Sequence, residues 1–188
     1  MEPIDYSIPD PAKTPYRNHA FRAGLIIAGI SIFLSLILYL TGGTENLMKN
    51  KSLSWANNLL SFGLTLWFIY SACLQHRQQD LGGYISIGRC LGIGSLSGLI
   101  AGLISGIWTV LFMNVIAPEV LDQIKEVTMQ QMADQGQSEA QIEKAMEVMK
   151  IFFTPTVFFI TAAVVSTISG FFAGLISGFV VQKARPFA

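Results

Sequence analysis

The chain has 188 residues, of which 52% are hydrophobic and 13% are charged, and its 12 basic side chains balance its 12 acidic ones. A soluble domain carries about 25% charged residues, so the low charge and the mean hydropathy of +0.51 indicate a protein that lies mainly in lipid. This composition nearly excludes a soluble enzyme. It also argues against nucleic-acid binding, because a neutral chain without a basic stripe cannot neutralise phosphates.

Residues 1–19 predict a disordered cytoplasmic tail. They contain Pro3, Pro9, Pro11 and Pro15 together with three acidic residues, a composition that favours extended, mobile chain. A secretory signal peptide would begin with a short basic region instead. We therefore expect the apolar stretch that follows the tail to remain in the protein as a spanning helix.

Residues 20–183 predict a single membrane domain, followed by a short cytoplasmic tail at 184–188. A spanning helix needs about 20 predominantly apolar residues, and four runs of the sequence meet this requirement. We expect an all-α fold, that of a polytopic membrane protein with four transmembrane helices. The predicted spans are 20–41, 53–73, 90–116 and 151–182, which make up over half of the chain.

The linker between the third and fourth spans, residues 117–150, predicts an extracytoplasmic amphipathic helical hairpin. A Gln-Gly-Gln sequence at 135–137 interrupts its helical pattern, and Ser138 followed by Gln141 has the spacing of a capping box. The hairpin either caps the bundle or uses its methionines as an adaptable docking surface for another protein. These methionines are Met129, Met132, Met146 and Met149.

A short internal repeat occurs in the third and fourth spans. Residues 97–106 read SGLIAGLISG and residues 169–178 read SGFFAGLISG, so eight of ten positions are identical. Glycine at every fourth position lies on one helix face, where another backbone can approach closely. We expect the two spans to pack antiparallel through these faces, with an oligomer interface or a substrate path as alternatives. The glycines are Gly94, Gly98, Gly102, Gly106, Gly170, Gly174 and Gly178.

The distribution of charge predicts that both termini are cytoplasmic. With four spans the termini lie on one side of the membrane, and that side collects seven of the twelve basic residues. Basic residues concentrate on the cytoplasmic side of membrane proteins. The acidic residues agree with this orientation, since eight of the twelve fall on the opposite side.

No motif in the sequence predicts catalysis, a cofactor or a metal site. His19 and His76 are expected in the tail and in a loop, without a second ligand at the spacing of a metal site. Cys73 and Cys90 are expected at cytoplasmic helix ends, where thiols stay reduced. The central parts of the spans hold no ionisable residue, which argues against proton-coupled transport and voltage sensing.

Four features resemble those of a known family: the four spans, the GGYISIGRC segment at 82–90, the long helical linker, and the Thr154-Pro155 pair near the start of the fourth span. The family consists of bacterial inner-membrane proteins, mainly from Bacteroidetes, and is known only as a domain of unknown function. The resemblance covers about residues 20–182. It implies the four-helix topology and a bacterial inner membrane, and it brings no activity, substrate or catalytic residue.

These observations favour a non-catalytic membrane protein that acts as a scaffold or accessory subunit of an inner-membrane assembly. The expected partners are the lipid bilayer and either another membrane protein or further copies of this chain, and nucleic acid is not expected. The alternative is a small oligomeric carrier or flippase for a lipid-linked or small-molecule substrate.

Overall fold

The computed structural model describes residues 13–184, and this part of the chain is helical without strands. Four of its helices are long and apolar enough to cross a membrane, which confirms the predicted all-α, four-span fold. The four are α1 (Arg17–Leu40), α3 (Lys51–Gln75), α4 (Ile87–Leu111) and α7 (Pro155–Val181). The shorter helices are α2 (Gly43–Lys49), α5 (Glu119–Asp134) and α6 (Glu139–Met149).

The helix boundaries differ from the predicted spans at several helix ends. α1 begins at Arg17, so the last residues of the predicted tail are helical. A π-helical turn extends α3 through His76–Asp80. α4 begins at Ile87, three residues before the predicted span, and a second π-helical turn, Phe112–Ile116, brings it to the predicted end at residue 116. α7 begins only at Pro155. A backbone N–H at the first helical position has no partner within the helix, so the N–H that proline lacks costs no hydrogen bond there. The predicted tail residues 1–12 and 185–188 lie outside the described residues.

The buried core lies mainly in the half of the bundle that carries the chain termini. The buried residues of α1 fall within 20–28 and those of α3 within 69–73. In α4 they fall within 90–106, and in α7 within 170–181. Because successive spans alternate in direction, these segments meet at one end of the bundle, which we call the terminal end.

The opposite end, which carries α2, α5 and α6 and which we call the hairpin end, is much more open. Residues 51–66 of α3 are all at least partly exposed. A small satellite core of Phe112, Ala117 and Val120 lies at this end. The hydroxyl of Tyr39 donates to Oε1 of Glu119 at 2.7 Å, so the end of α1 is tied to the start of α5.

Candidate functional site

The glycines of the internal repeat lie in the contact between α4 and α7, the most extensive helix packing in the described chain. A Cβ atom added at Gly94, Gly98 or Gly170 would overlap a backbone carbonyl oxygen of the facing helix. At Gly174 the added atom would lie 2.6 Å from the carbonyl oxygen of Cys90. The absence of side chains at these positions therefore sets how closely the two antiparallel backbones approach.

The three other glycines of the repeat lie in the same contact. A Cβ added at Gly102 would lie 2.8 Å from the carbonyl oxygen of Ala162, and one at Gly106 would lie 2.8 Å from the ring of Phe159. At Gly178 the nearest atom is 3.2 Å away, on a side chain in the first turn of α4. The glycine faces of α4 and α7 thus meet within one chain.

The four methionines of the linker lie on α5 and α6. Met129 and Met146 line a groove of about 520 Å³ between the two helices, together with Ile142. Met132 and Met149 are partly buried and lie outside this groove. The structure therefore brings two of the four methionines together.

A cluster of ionisable side chains at the terminal end was not predicted from the sequence. Nε2 of His19 lies 2.6 Å from Oδ2 of Asp80, and Nδ1 of His76 lies 2.7 Å from the same oxygen. The side chain of His76 is fully buried, whereas those of His19 and Asp80 are 13% and 32% exposed. Since His19 comes from α1 and the other two from the π-helical turn after α3, the cluster joins two spans.

Arg89 of α4 completes this cluster and determines the tautomer of His76. Its Nε donates to Nε2 of His76 at 2.9 Å, and a guanidinium can only donate. Nε2 must therefore accept, which places the imidazole proton on Nδ1, the atom that donates to Asp80. Arg89 also donates to the carbonyl of Thr14 and lies 5.6 Å from the ring centroid of Tyr16, so the segment before α1 is held as well.

The trio of His19, His76 and Asp80 has the composition of a metal site, and its ligand atoms lie within 4.8 Å of one another. Arg89 makes it a poor one. A metal-bound histidine passes its second ring N–H to an acceptor, but the group facing Nε2 of His76 is a donor. The positive guanidinium would also repel a cation. The donor set therefore fits a hydrogen-bonded clamp between three spans better than it fits a metal.

The neighbouring contacts have the same clamping role. Arg77 donates to the carbonyl of Val181 at 3.0 Å, which holds the end of α7 to the π-helical turn after α3. Ile85 and Lys183 exchange two backbone hydrogen bonds of 3.3 and 3.1 Å. Ser97 donates to the carbonyl of Ala20 at 3.0 Å, joining α4 to α1. The terminal end is thus closed by polar contacts around a glycine-packed helix pair.

The sequence contained only a weak signal for this clamp. His76 and Asp80 are four residues apart, the spacing at which helical side chains meet, but His19 is 57 residues before His76. Four-span topology brings the starts of α1 and α4 and the end of α3 to the same side of the membrane. Which side chains meet there depends on helix rotation, which the sequence pattern does not specify.

Comparison with known proteins places the chain in one family. The family model described as "Protein of unknown function (DUF4199)" matches residues 22–183, so the chain belongs to the DUF4199 family. Neither the curated proteins nor the solved structures contain a significant match.

Proposed function

We propose that this member of the DUF4199 family is a non-catalytic scaffold or accessory subunit of a bacterial inner-membrane assembly, with both termini in the cytoplasm. The observation that supports the proposal is the α5–α6 hairpin, in which every apolar side chain of the two helices except Val120 is at least partly exposed. In this role the spans anchor the hairpin, and the hairpin contacts another membrane protein outside the cytoplasm.

The hairpin is attached to the bundle mainly through one of its two helices. α5 contacts α2 and the π-helical turn after α4, whereas α6 packs chiefly against α5. Of the residues of α5 and α6 themselves only Val120, at the base of α5, is buried, and Ala117 just before α5 is buried beside it. Because little of these two amphipathic helices is buried against the bundle, they are better suited to docking a partner than to capping the bundle.

Apolar side chains are exposed on this hairpin and just after it. Val148, Ile151 and Phe152 are 64%, 67% and 60% exposed. Contiguous exposed apolar surface of this kind marks interaction sites. Adhesion to anionic lipid is disfavoured, because residues 117–150 carry seven acidic and three basic residues. The flexible thioethers of Met129 and Met146 suit an adaptable protein contact.

Site-specific photocrosslinking tests the proposal. A benzophenone side chain at Met146, in the α5–α6 groove, is expected to give a discrete adduct with another membrane protein in native membranes. The matched control is Ile160, which is 53% exposed on the spanning helix α7 and lies outside the groove, and it should give no such adduct. The charge variant Ile142→Glu is expected to abolish the adduct while the protein still inserts.

Two outcomes would contradict this function. An adduct formed only with a second copy of the chain would indicate a homo-oligomer instead of a subunit of a mixed assembly. Adducts of equal yield from Met146 and Ile160 would show that the groove has no preference for a partner. Where Met146 gives a discrete adduct with another protein, reciprocal purification with that protein as the bait checks its identity.

The alternative function is a small oligomeric carrier or flippase. It is favoured by the cavities between the spans at the hairpin end and disfavoured by the polar contacts that hold the spans together at the terminal end. A carrier must open alternately to both sides, and a clamp that ties α1, α3 and α4 together opposes that motion. Transport of lipid across reconstituted vesicles by the purified chain would support the carrier over the scaffold.

A further inference from the structure

Two cavities adjoin each other at the hairpin end. The first, which we call the apolar chamber, has a volume of about 370 Å³ and lies among α1, α2, α3, α4 and α5. The second, the polar chamber, has a volume of about 500 Å³ and lies between the start of α3 and the end of α5. Leu47, Met48 and Ser54 line both, so the two chambers share a wall.

The apolar chamber is built to hold hydrocarbon. Its walls include Leu38, Met113 and Ile124. Two of its polar groups already have partners, because Ser35 accepts a hydrogen bond from the indole of Trp108 at 3.0 Å and Thr109 donates to a backbone carbonyl at 2.8 Å. The volume lies near the lower end of the range of about 300–1,000 Å³ for small-molecule pockets, which is enough for a large part of one lipid chain.

The polar chamber offers two charges of opposite sign. They belong to Lys51 and Asp134, which both line the chamber. Within residues 13–184, neither of these two residues takes part in a salt bridge. Lys49 lines the chamber as well, but its ammonium is paired with Glu45 at 2.5 Å, and this hydrogen bond raises the pKa of Lys49 and lowers that of Glu45.

The chambers lie at the ends of the spanning helices, where hydrocarbon gives way to water in a membrane protein. The apolar chamber adjoins the last turns of α1 and α4, and the polar chamber adjoins the first turns of α3. Trp55, which lines the polar chamber, is the residue type enriched at the level of lipid headgroups. An amphiphile from the membrane can therefore enter with its chain in one chamber and its headgroup in the other.

We propose that the paired chambers bind one zwitterionic phospholipid from the surrounding membrane. One acyl chain occupies the apolar chamber, the phosphate pairs with Lys51, and the ammonium of the headgroup pairs with Asp134. A charge of each sign favours a zwitterion over an anionic lipid, because an anionic headgroup leaves Asp134 facing a negative charge. The proposal is independent of the accessory role, since a scaffold and a carrier can each hold such a lipid.

The tryptophans of the chain provide a direct test. Trp108 lines the apolar chamber and Trp55 the polar chamber, while Trp67 lies outside both and is 63% exposed. Full-length single-tryptophan variants in non-ionic detergent are titrated with lysophosphatidylethanolamine brominated near the methyl end of its chain. We expect saturable quenching that is strongest for Trp108, weaker for Trp55, and only gradual, non-saturating quenching for Trp67.

Substitutions separate the contribution of the chain from that of the headgroup. Ser54→Phe, in the shared wall, should remove the saturable component, whereas Leu59→Phe on the same helix, at a 73% exposed position, should retain it. Lys51→Gln and Asp134→Asn should each weaken binding about two- to fivefold, the effect of losing one exposed charge pair. Brominated monoacylglycerol, which has the chain without the charges, should bind equally to both charge variants and to the parent.

Three results would overturn the proposal. Linear quenching of equal strength at all three tryptophans would show ordinary micelle partitioning. Monoacylglycerol that binds as tightly as the zwitterion would refute the headgroup site. Lysophosphatidylglycerol that binds more tightly than the zwitterion would show a site for anionic lipid. The charge variants lie at the surface, so they keep the test valid even where Ser54→Phe fails to fold.

Discussion

At the scale of single residues, Asp80 is the acceptor that holds both histidines of the clamp at the terminal end. One of its carboxylate oxygens accepts from His19 and from His76, at 2.6 and 2.7 Å. The buried His76 is in turn held by Arg89. Removal of one partner from such a network leaves the others unsatisfied, and that loss costs more than the net contribution of the bond itself.

Asp80→Ala is therefore expected to lower the free energy of unfolding by roughly 1–3 kcal/mol, the cost of leaving buried polar groups without a partner. Unfolding of the full chain in mixed micelles, followed by tryptophan fluorescence, measures this change. Asp122→Ala is the matched control, because Asp122 pairs with Lys125 at a 79% exposed position, and it should leave the stability unchanged. Equal stability of the two variants would show that the clamp contributes nothing.

At the scale of elements, the α4–α7 pair is the most extensively packed part of the bundle. Small residues allow the two backbones to approach until carbonyl oxygens of one helix face the Cα atoms of the other. In lipid the hydrophobic effect does not drive helices together, so close packing of this kind supplies much of the attraction.

Gly98→Ala is expected to destabilise the pair by about 1–3 kcal/mol, the range for overpacking a tight contact. The added methyl would overlap the carbonyl oxygen of Ser166 on α7. Gly63→Ala on α3 is the control, because no atom lies within 4 Å of its added Cβ. It should leave stability unchanged or raise it by up to about 1 kcal/mol through helix propensity.

Thermal melting of both glycine variants in detergent distinguishes these effects. The expected order of melting temperatures is Gly63→Ala at or above the parent and Gly98→Ala clearly below it. If both variants melt with the parent, the glycine contact has room to relax and does not set the helix separation.

At the scale of the whole molecule, the two ends of the bundle differ in packing. Most buried residues and the clamp lie toward the terminal end, where a cavity of about 400 Å³ also opens beside Tyr84 and Lys183. The two chambers and the α5–α6 groove lie at the opposite end. The tighter packing and the polar contacts between spans are therefore concentrated at one end of the bundle.

The topology itself is tested by thiol labelling of intact cells. The native Cys73 and Cys90 are buried, so they should react little with a membrane-impermeant maleimide. A cysteine at Gln135, between α5 and α6, should react from outside the cytoplasmic membrane, and one at Ala184 should react only after permeabilisation. The reverse pattern would show an inverted orientation, and labelling of both sites from one side would contradict four spans.

The sequence by itself determined the class of fold. Four apolar runs of spanning length can satisfy their backbone hydrogen bonds in lipid only as helices, so the all-α, four-span fold follows from composition and charge spacing. The glycines at every fourth position were likewise visible as faces, because helical periodicity is local. The Ser138–Gln141 capping box depends on a three-residue spacing, and the structure contains it at the start of α6.

Only the tertiary structure decided which faces meet. His19 and His76 were expected in a tail and a loop, and they come together because α1 begins at Arg17 and α3 continues as a π-helical turn. The two chambers are lined by residues from five helices. Such contacts arise from helix rotation and tilt, and these are set by packing between distant segments, so a linear pattern does not contain them.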